Sequence, residues 1–290
     1  EEESAPVIET PSQAPFEEAQ AVENTEIAAQ ASADGDPWWK AGSKTYRVLR
    51  VGGCPAVELN VTCFENPSPI TYAITLIDNG NAPAPSDGIL HVESALSAFT
   101  ENIVLDGSDA ELAKIKSIVG EKTDPADPFP TLNGYVYVHN YLTAFTFSGF
   151  IVDGSNAGTG LVRFENNNGA LTLKDLEVTN SGVNGHGVFV TQHTGAVTLT
   201  NVQANDNNGV GIYVDNARGT GNISLTHCAA NRNGASTDSD GMTLTSRGTV
   251  SLISVSSNSN TTYGAYINAK SLTAKSGAFN DNGDTSGYGL

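Results

Sequence analysis

Three residues of this 290-residue chain combine types and spacing suited to proton transfer: Arg163, Glu165 and His186. Arg163 and Glu165 are two positions apart, so on any strand they share one face. Carboxylates and imidazoles are the usual general acids and bases, provided that geometry brings them to one reacting group. A second set, Phe189, Tyr213, Tyr263 and Tyr266, is aromatic and suits stacking on sugar rings or packing against a partner. The same aromatics would serve equally as cross-strand neighbours that stabilise a sheet. Cys54 and Cys63 lie nine positions apart and form a disulfide if the chain is secreted, or remain two buried thiols. Asp238 and Asp240 share a turn that could hold a cation such as Ca²⁺ weakly; otherwise they are solvated surface acids.

The elements that position these groups are written as a repeat. Leu171-x-Leu173-x-x-Leu176-x-Val178 recurs as Val197-x-Leu199-x-x-Val202-x-Ala204, Ile223-x-Leu225-x-x-Cys228-x-Ala230 and Val250-x-Leu252-x-x-Val255-x-Ser257. The frame reaches back to Phe145 and forward to Leu272, with successive starts 26, 26, 26, 27 and 22 residues apart. A fixed period of this length marks a solenoid, whose units bury their apolar faces only by stacking. Within the period apolar residues alternate with Thr, Ser or Lys and are then interrupted by Asn, Gly and Asp, which is strand and turn chemistry.

A second strand precedes each unit: Val162-Arg163-Phe164, Val188-Phe189-Val190, Ile212-Tyr213-Val214, Met242-Thr243-Leu244 and Ala265-Tyr266-Ile267. Its outer members point inward, and Arg163, Phe189, Tyr213, Thr243 and Tyr266 form an outward column. Asp153, Thr179, Asn205, Asn231, Asn258 and Asn280 recur at one corner, where Asn suits a left-handed turn and a stacked side-chain ladder. Thr172, Thr198, Ser224, Ser251 and Thr273 make an outward hydroxyl column, beside one broken by Lys174, Ile253 and Lys275.

These repeats resemble the right-handed parallel β-helix of the pectin-lyase-like superfamily and, more narrowly, the Asn-rich repeats of large secreted bacterial surface proteins, over residues 70–290. The resemblance implies an all-β chain with an N-terminal cap. Gly185-His186-Gly187 is similar to the Gly-His-Gly of polygalacturonases, although the matching segment one coil upstream, Gly158-Thr159-Gly160, holds no carboxylate for the acid/base pair that glycoside hydrolysis needs. Pectate lyases of this fold use Arg or Lys as the base and Ca²⁺ held by clustered acids; here the corresponding groups would be Arg163 and Glu165, with His186 one coil on. In the Glu165 column the acids fall on alternate rungs, Glu165 and Asp215, roughly 9–10 Å apart at normal strand spacing.

The net charge of −18 argues against nucleic acid and anionic membranes as partners. Residues 1–36 carry ten of the 32 acidic residues and no Lys or Arg. This leader is expected to be disordered in the free monomer, as a solvated spacer or as an arm that orders on assembly. Residues 37–133, opened by Trp38 and Trp39, read as a cap and first coils. They include short strands within 45–61, a helix over 70–78, strands at 89–93 and 102–105, a second helix over 110–119 and a Pro-rich loop over 124–130. Residues 134–290 are regular coils, and the sequence stops inside a new strand at Tyr288-Gly289-Leu290, which suggests an open, associating end. No transmembrane run or signal peptide is present.

The sequence thus predicts a secreted or cell-surface, non-catalytic structural protein that binds polysaccharide, a partner or further copies of itself end to end. The alternative is a lyase or hydrolase acting on an acidic polysaccharide through Arg163, Glu165 and His186.

Overall fold

The computed structural model describes residues 45–48, 61–63, 68–82, 84–85, 87–93, 98–122, 124–154, 160–234 and 239–283. The acidic leader, the Trp38-Trp39 pair, the Cys54–Cys63 pairing, Asp238 and Tyr288 lie outside them. The described residues form an all-β parallel solenoid of about seven turns with one short α-helix. In chain order the elements are β1 (Thr45–Val48), β2 (Val61–Cys63), α1 (Pro69–Asp78), β3 (Ile89–Glu93), β4 (Ile103–Asp106), β5 (Ser117–Glu121), β6 (Thr131–Asn133) and β7 (Val136–His139). The regular coils supply β8 (Phe145–Asp153), β9 (Gly160–Glu165), β10 (Leu171–Thr179), β11 (His186–Thr191), β12 (Val197–Ala204), β13 (Ile212–Asn216), β14 (Ile223–Thr226), β15 (Met242–Ile253) and β16 (Ala265–Lys275). Among the described residues no helix is long and apolar enough to cross a membrane.

The strands stack in three parallel ladders. One runs β3, β5, β8, β10, β12, β14 and β15, and a second runs β4, β7, β9, β11, β13 and β15; β16 continues both. The third uses the second halves of β8, β10 and β12, then single bridges at Ala229, Ser256 and Ala278. The register is the one the sequence repeat implies: Phe145 pairs with Leu171, Leu171 with Val197, Val197 with Ile223, Ile223 with Val250 and Val250 with Leu272. Inward columns such as Phe147, Leu173, Leu199, Leu225 and Leu252 are buried. Cys228 occupies one of them between Val202 and Val255 as a free thiol, and burial pushes its pKa up to about 11.

The cap holds one correction. Residues 110–119 do not form a helix: a single 3₁₀ turn at Leu112–Lys114 leads into β5. Ile118 is wholly buried between Leu90 and Phe147 in the first ladder, and this register overrides the local helical pattern. Helix α1 forms as expected, with Pro at its first turn, Gly80 left-handed (φ 68°) after its end, and Ile70, Ala73 and Ile77 buried. The buried Glu101 carboxylate accepts the N–H groups of Ile70 (3.3 Å) and Thr71 (2.7 Å) at its N-terminus. Burial raises the Glu101 pKa, against these hydrogen bonds.

One corner of the later coils is built from Asn-x-Asn. In the first Asn column, Asn205 Oδ1 accepts the Asn231 N–H (2.8 Å), Asn231 Oδ1 that of Asn258 (2.8 Å) and Asn258 Oδ1 that of Asn280 (2.7 Å). The left-handed residues are not these but the next ones, Asn180, Asp206, Arg232, Ser259 and Asp281, with φ of 53–60°. That reversal turns the following Asn into the interior, where a second ladder runs in the opposite sense. There the Ser181 N–H donates to Asn207 Oδ1 (3.2 Å), Asn207 to Asn233 (3.0 Å), Asn233 to Asn260 (2.9 Å) and Asn260 to Asn282 (3.0 Å). Their amide groups bond to core carbonyls, as Asn233 does to Ala204 (3.0 Å). This inner ladder also explains the glycines before Val188, Ile212 and Met242: a Cβ on Gly187 would lie 2.7 Å from Asn207 Nδ2, and Gly211 and Gly241 face Asn233 and Asn260 in the same way.

Asn233→Ala leaves the Asn207 amide and the Ala204 carbonyl without partners inside the protein and should cost about 2–4 kcal/mol. Asn201→Gly, at an exposed left-handed corner (φ 54°), should change stability by less than about 1 kcal/mol. Urea unfolding of the two variants measures both, and equal losses would contradict the ladder's role.

Candidate functional site

The outward column of the second ladder is longer than the sequence reading made it. Register places Val104, Tyr137, Arg163, Phe189, Tyr213, Thr243 and Tyr266 in one line. Tyr137 was legible as Val136-Tyr137-Val138, one 26-residue period before Val162-Arg163-Phe164. Two positions along, Asp106, His139, Glu165 and Thr191 form a parallel column, joined on later rungs by Asp215, Thr245 and Asn268.

Parallel strands sit about 4.8 Å apart, close to the separation of stacked rings, so aromatics on successive rungs lie face to face. Phe189 and Tyr213 stack at 4.9 Å and 24°, His186 lies on Phe189 at 5.0 Å and 6°, and His186 approaches Tyr213 at 5.7 Å and 25°. Tyr137 stacks on His139 at 4.6 Å. The Arg163 guanidinium fills the rung between, 4.9 Å from the Tyr137 ring centre and 5.6 Å from that of Phe189. These rings therefore spend their faces on one another and turn edges outward.

The polar groups are equally engaged. Arg163 Nη2 lies 2.6 Å from Glu165 Oε2, which also accepts the Tyr137 hydroxyl (3.1 Å). Both side chains of the ion pair are largely buried, at 15% and 17% exposure. Burial, then the Glu165 charge, pushes the Tyr137 pKa up to about 12, so the phenol stays protonated as donor. His186 Nδ1 accepts the Val210 N–H (3.0 Å), which places the ring proton on Nε2. Burial, then the Arg163 charge, lowers the His186 pKa to about 4, so the ring is neutral at pH 7.

The structure thus brings Arg163, Glu165, His186, Phe189 and Tyr213 together, and adds Tyr137. It sets Tyr263 and Tyr266 apart: Thr243 interrupts the column, and among the described residues no ring stacks on either. These two tyrosines are 43% and 39% exposed. Asp240 serves as a turn cap, accepting the Thr262 hydroxyl (2.6 Å), the Thr243 hydroxyl (3.1 Å) and the Tyr263 N–H (3.2 Å). Asp215 Oδ1 accepts the Ala217 N–H (2.9 Å). Among the described residues no three His, Cys, Asp or Glu side chains converge as metal ligands would. The hydroxyl column stands in register on the first ladder and extends back to Thr146 and Ser117.

Arg163→Ala strands the Glu165 carboxylate and should cost about 2–4 kcal/mol, an energy typical of breaking a buried pair after allowance for partial exposure. The double change Arg163→Phe with Glu165→Thr copies the next rung, Phe189 and Thr191, and should recover most of that loss. Thermal and urea unfolding of the two variants checks this; a double variant no more stable than the single one would show that the ion pair is not a replaceable rung. No protein-family model, curated protein or solved structure matches the chain.

Proposed function

We propose that this protein is a non-catalytic structural protein, secreted or displayed at a cell surface, that binds polysaccharide along the outer face of its second ladder. One observation carries the reading: each group on that face suited to acid or base work is already bound to a neighbour. Arg163 is ion-paired with Glu165, and an arginine must lose its proton to act as a base. Glu165 takes two hydrogen bonds, and neutral His186 uses its only acceptor nitrogen on the backbone. What the face offers a ligand is one column of residues in register, with Tyr137, Phe189, Tyr213 and Thr243 along it and exposed tyrosines at Tyr263 and Tyr266. A linear polymer matches that column, and aromatic contact supplies part of the affinity.

A lyase or hydrolase acting on an acidic polysaccharide is the second reading. It is favoured by the presence of Arg163, Glu165 and His186 on neighbouring rungs.

Affinity electrophoresis of the whole chain through neutral, uronate and amino-sugar polysaccharides tests the first reading. Retardation by at least one polymer is expected, reduced about tenfold by Tyr263→Ala with Tyr266→Ala. Absence of retardation in every polymer would overturn the polysaccharide ligand. Product release from a uronate polymer by the native chain, lost in Arg163→Ala, would establish the second reading.

A further inference from the structure

Two of the five histidines, half-buried His186 and buried His193, lie on one coil, where burial disfavours the charged ring. His186 offers its Nδ1 to the Val210 N–H, an acceptor role that ends on protonation, and its ring is covered by Phe189 and Tyr213. The charge that acts on it is Arg163, of the same sign as an imidazolium. His193 is 1% exposed and stands one period after Asn167, each following a left-handed residue, Gln192 or Asn166. Where Asn167 accepts the Tyr141 N–H and donates to the Val138 carbonyl, His193 lies against the backbone of Gly169 and Ala196, and neither ring nitrogen completes a hydrogen bond. The carboxylates of the adjoining rungs give no help: Glu165 is taken by Arg163 and Tyr137, and Asp215 holds the Ala217 amide.

We propose that the coil carrying His186 and His193 is an acid-sensitive joint, at which the solenoid opens between β11 and β13 on acidification while coils on either side remain closed. In a solenoid each coil is held only by its neighbours, so one weak interface can part alone. Burial is the first cause that lowers both histidines to about 4, against an ordinary value of 6.5. The open state therefore binds more protons between those values, and opening gains as pH falls from 6.5 toward 4. Each histidine favours opening by about 20-fold more at pH 5 than at pH 7.

Peptide-resolved hydrogen exchange of the full chain at pH 7 and pH 5, corrected for the intrinsic pH dependence of exchange, tests the joint. Protection over residues 186–216 should fall at least tenfold more than over residues 145–178. His186→Asn with His193→Asn should remove the difference, because Asn keeps an acceptor at the first site and restores the Asn167 residue type at the second. His193→Asn alone should remove about half of the response on a logarithmic scale, and it serves if the double variant does not fold. A uniform loss along all coils, or a local loss unchanged in the asparagine variants, would overturn the proposal.

Discussion

A coil that turns three times must leave backbone amides inside its corners, away from water, and an unpaired buried amide costs as much as several good contacts supply. The solenoid depends on how asparagine meets this demand. At each Asn-x-Asn corner the first Asn bonds forward to the next coil, the left-handed middle residue reverses the chain, and the second Asn bonds backward from inside. Two ladders of opposite sense thus lock the coils between Ser181 and Asn282 to their neighbours. The glycines before β11, β13 and β15 follow from the space the inner ladder needs. Where the pattern lapses at another corner, and His193 stands one period after Asn167, a buried ring is left without partners.

The same rung spacing governs the outer face. Residues in register sit at stacking distance, so rings pair with rings, and a guanidinium can substitute for a ring between two of them. Arg163 does so between Tyr137 and Phe189, with Glu165 neutralising its charge. A solenoid face therefore tends to consume its own aromatic and charged groups unless the column is broken. Here Thr243 breaks it, and the aromatics that are most exposed among the described residues, Tyr263 and Tyr266, lie beyond the break.

Much of this was legible in the sequence because the repeat is nearly exact. The frame from Phe145 to Leu272 gave the register pair for pair, and the second-strand triplets placed Arg163, Phe189 and Tyr213 in one column. The inner Asn ladder was missed, although its signal, a second Asn two residues after the first at 205/207, 231/233, 258/260 and 280/282, was present. Periodicity reports which residues align, not which way a corner turns its side chains. The helix expected over 110–119 failed because Leu112, Ile115 and Ile118 fall at helical spacing, and only the pairing of Ile118 with Leu90 and Phe147 draws the end of this stretch into a strand. That His186 would be neutral and stacked was not readable from Gly185-His186-Gly187, since its partners Val210 and Tyr213 come from the following coil.

The reactive groups of the outer face are bound to one another, and the state of His186 reports this most directly. Nitrogen and carbon NMR of the labelled imidazole, followed from pH 8 to pH 4, should show a single tautomer with the proton on Nε2 and no titration above about pH 5. A ring protonated on Nδ1, or one that titrates near 6.5 as a free histidine does, would mean that the face is open to proton transfer and would contradict the account.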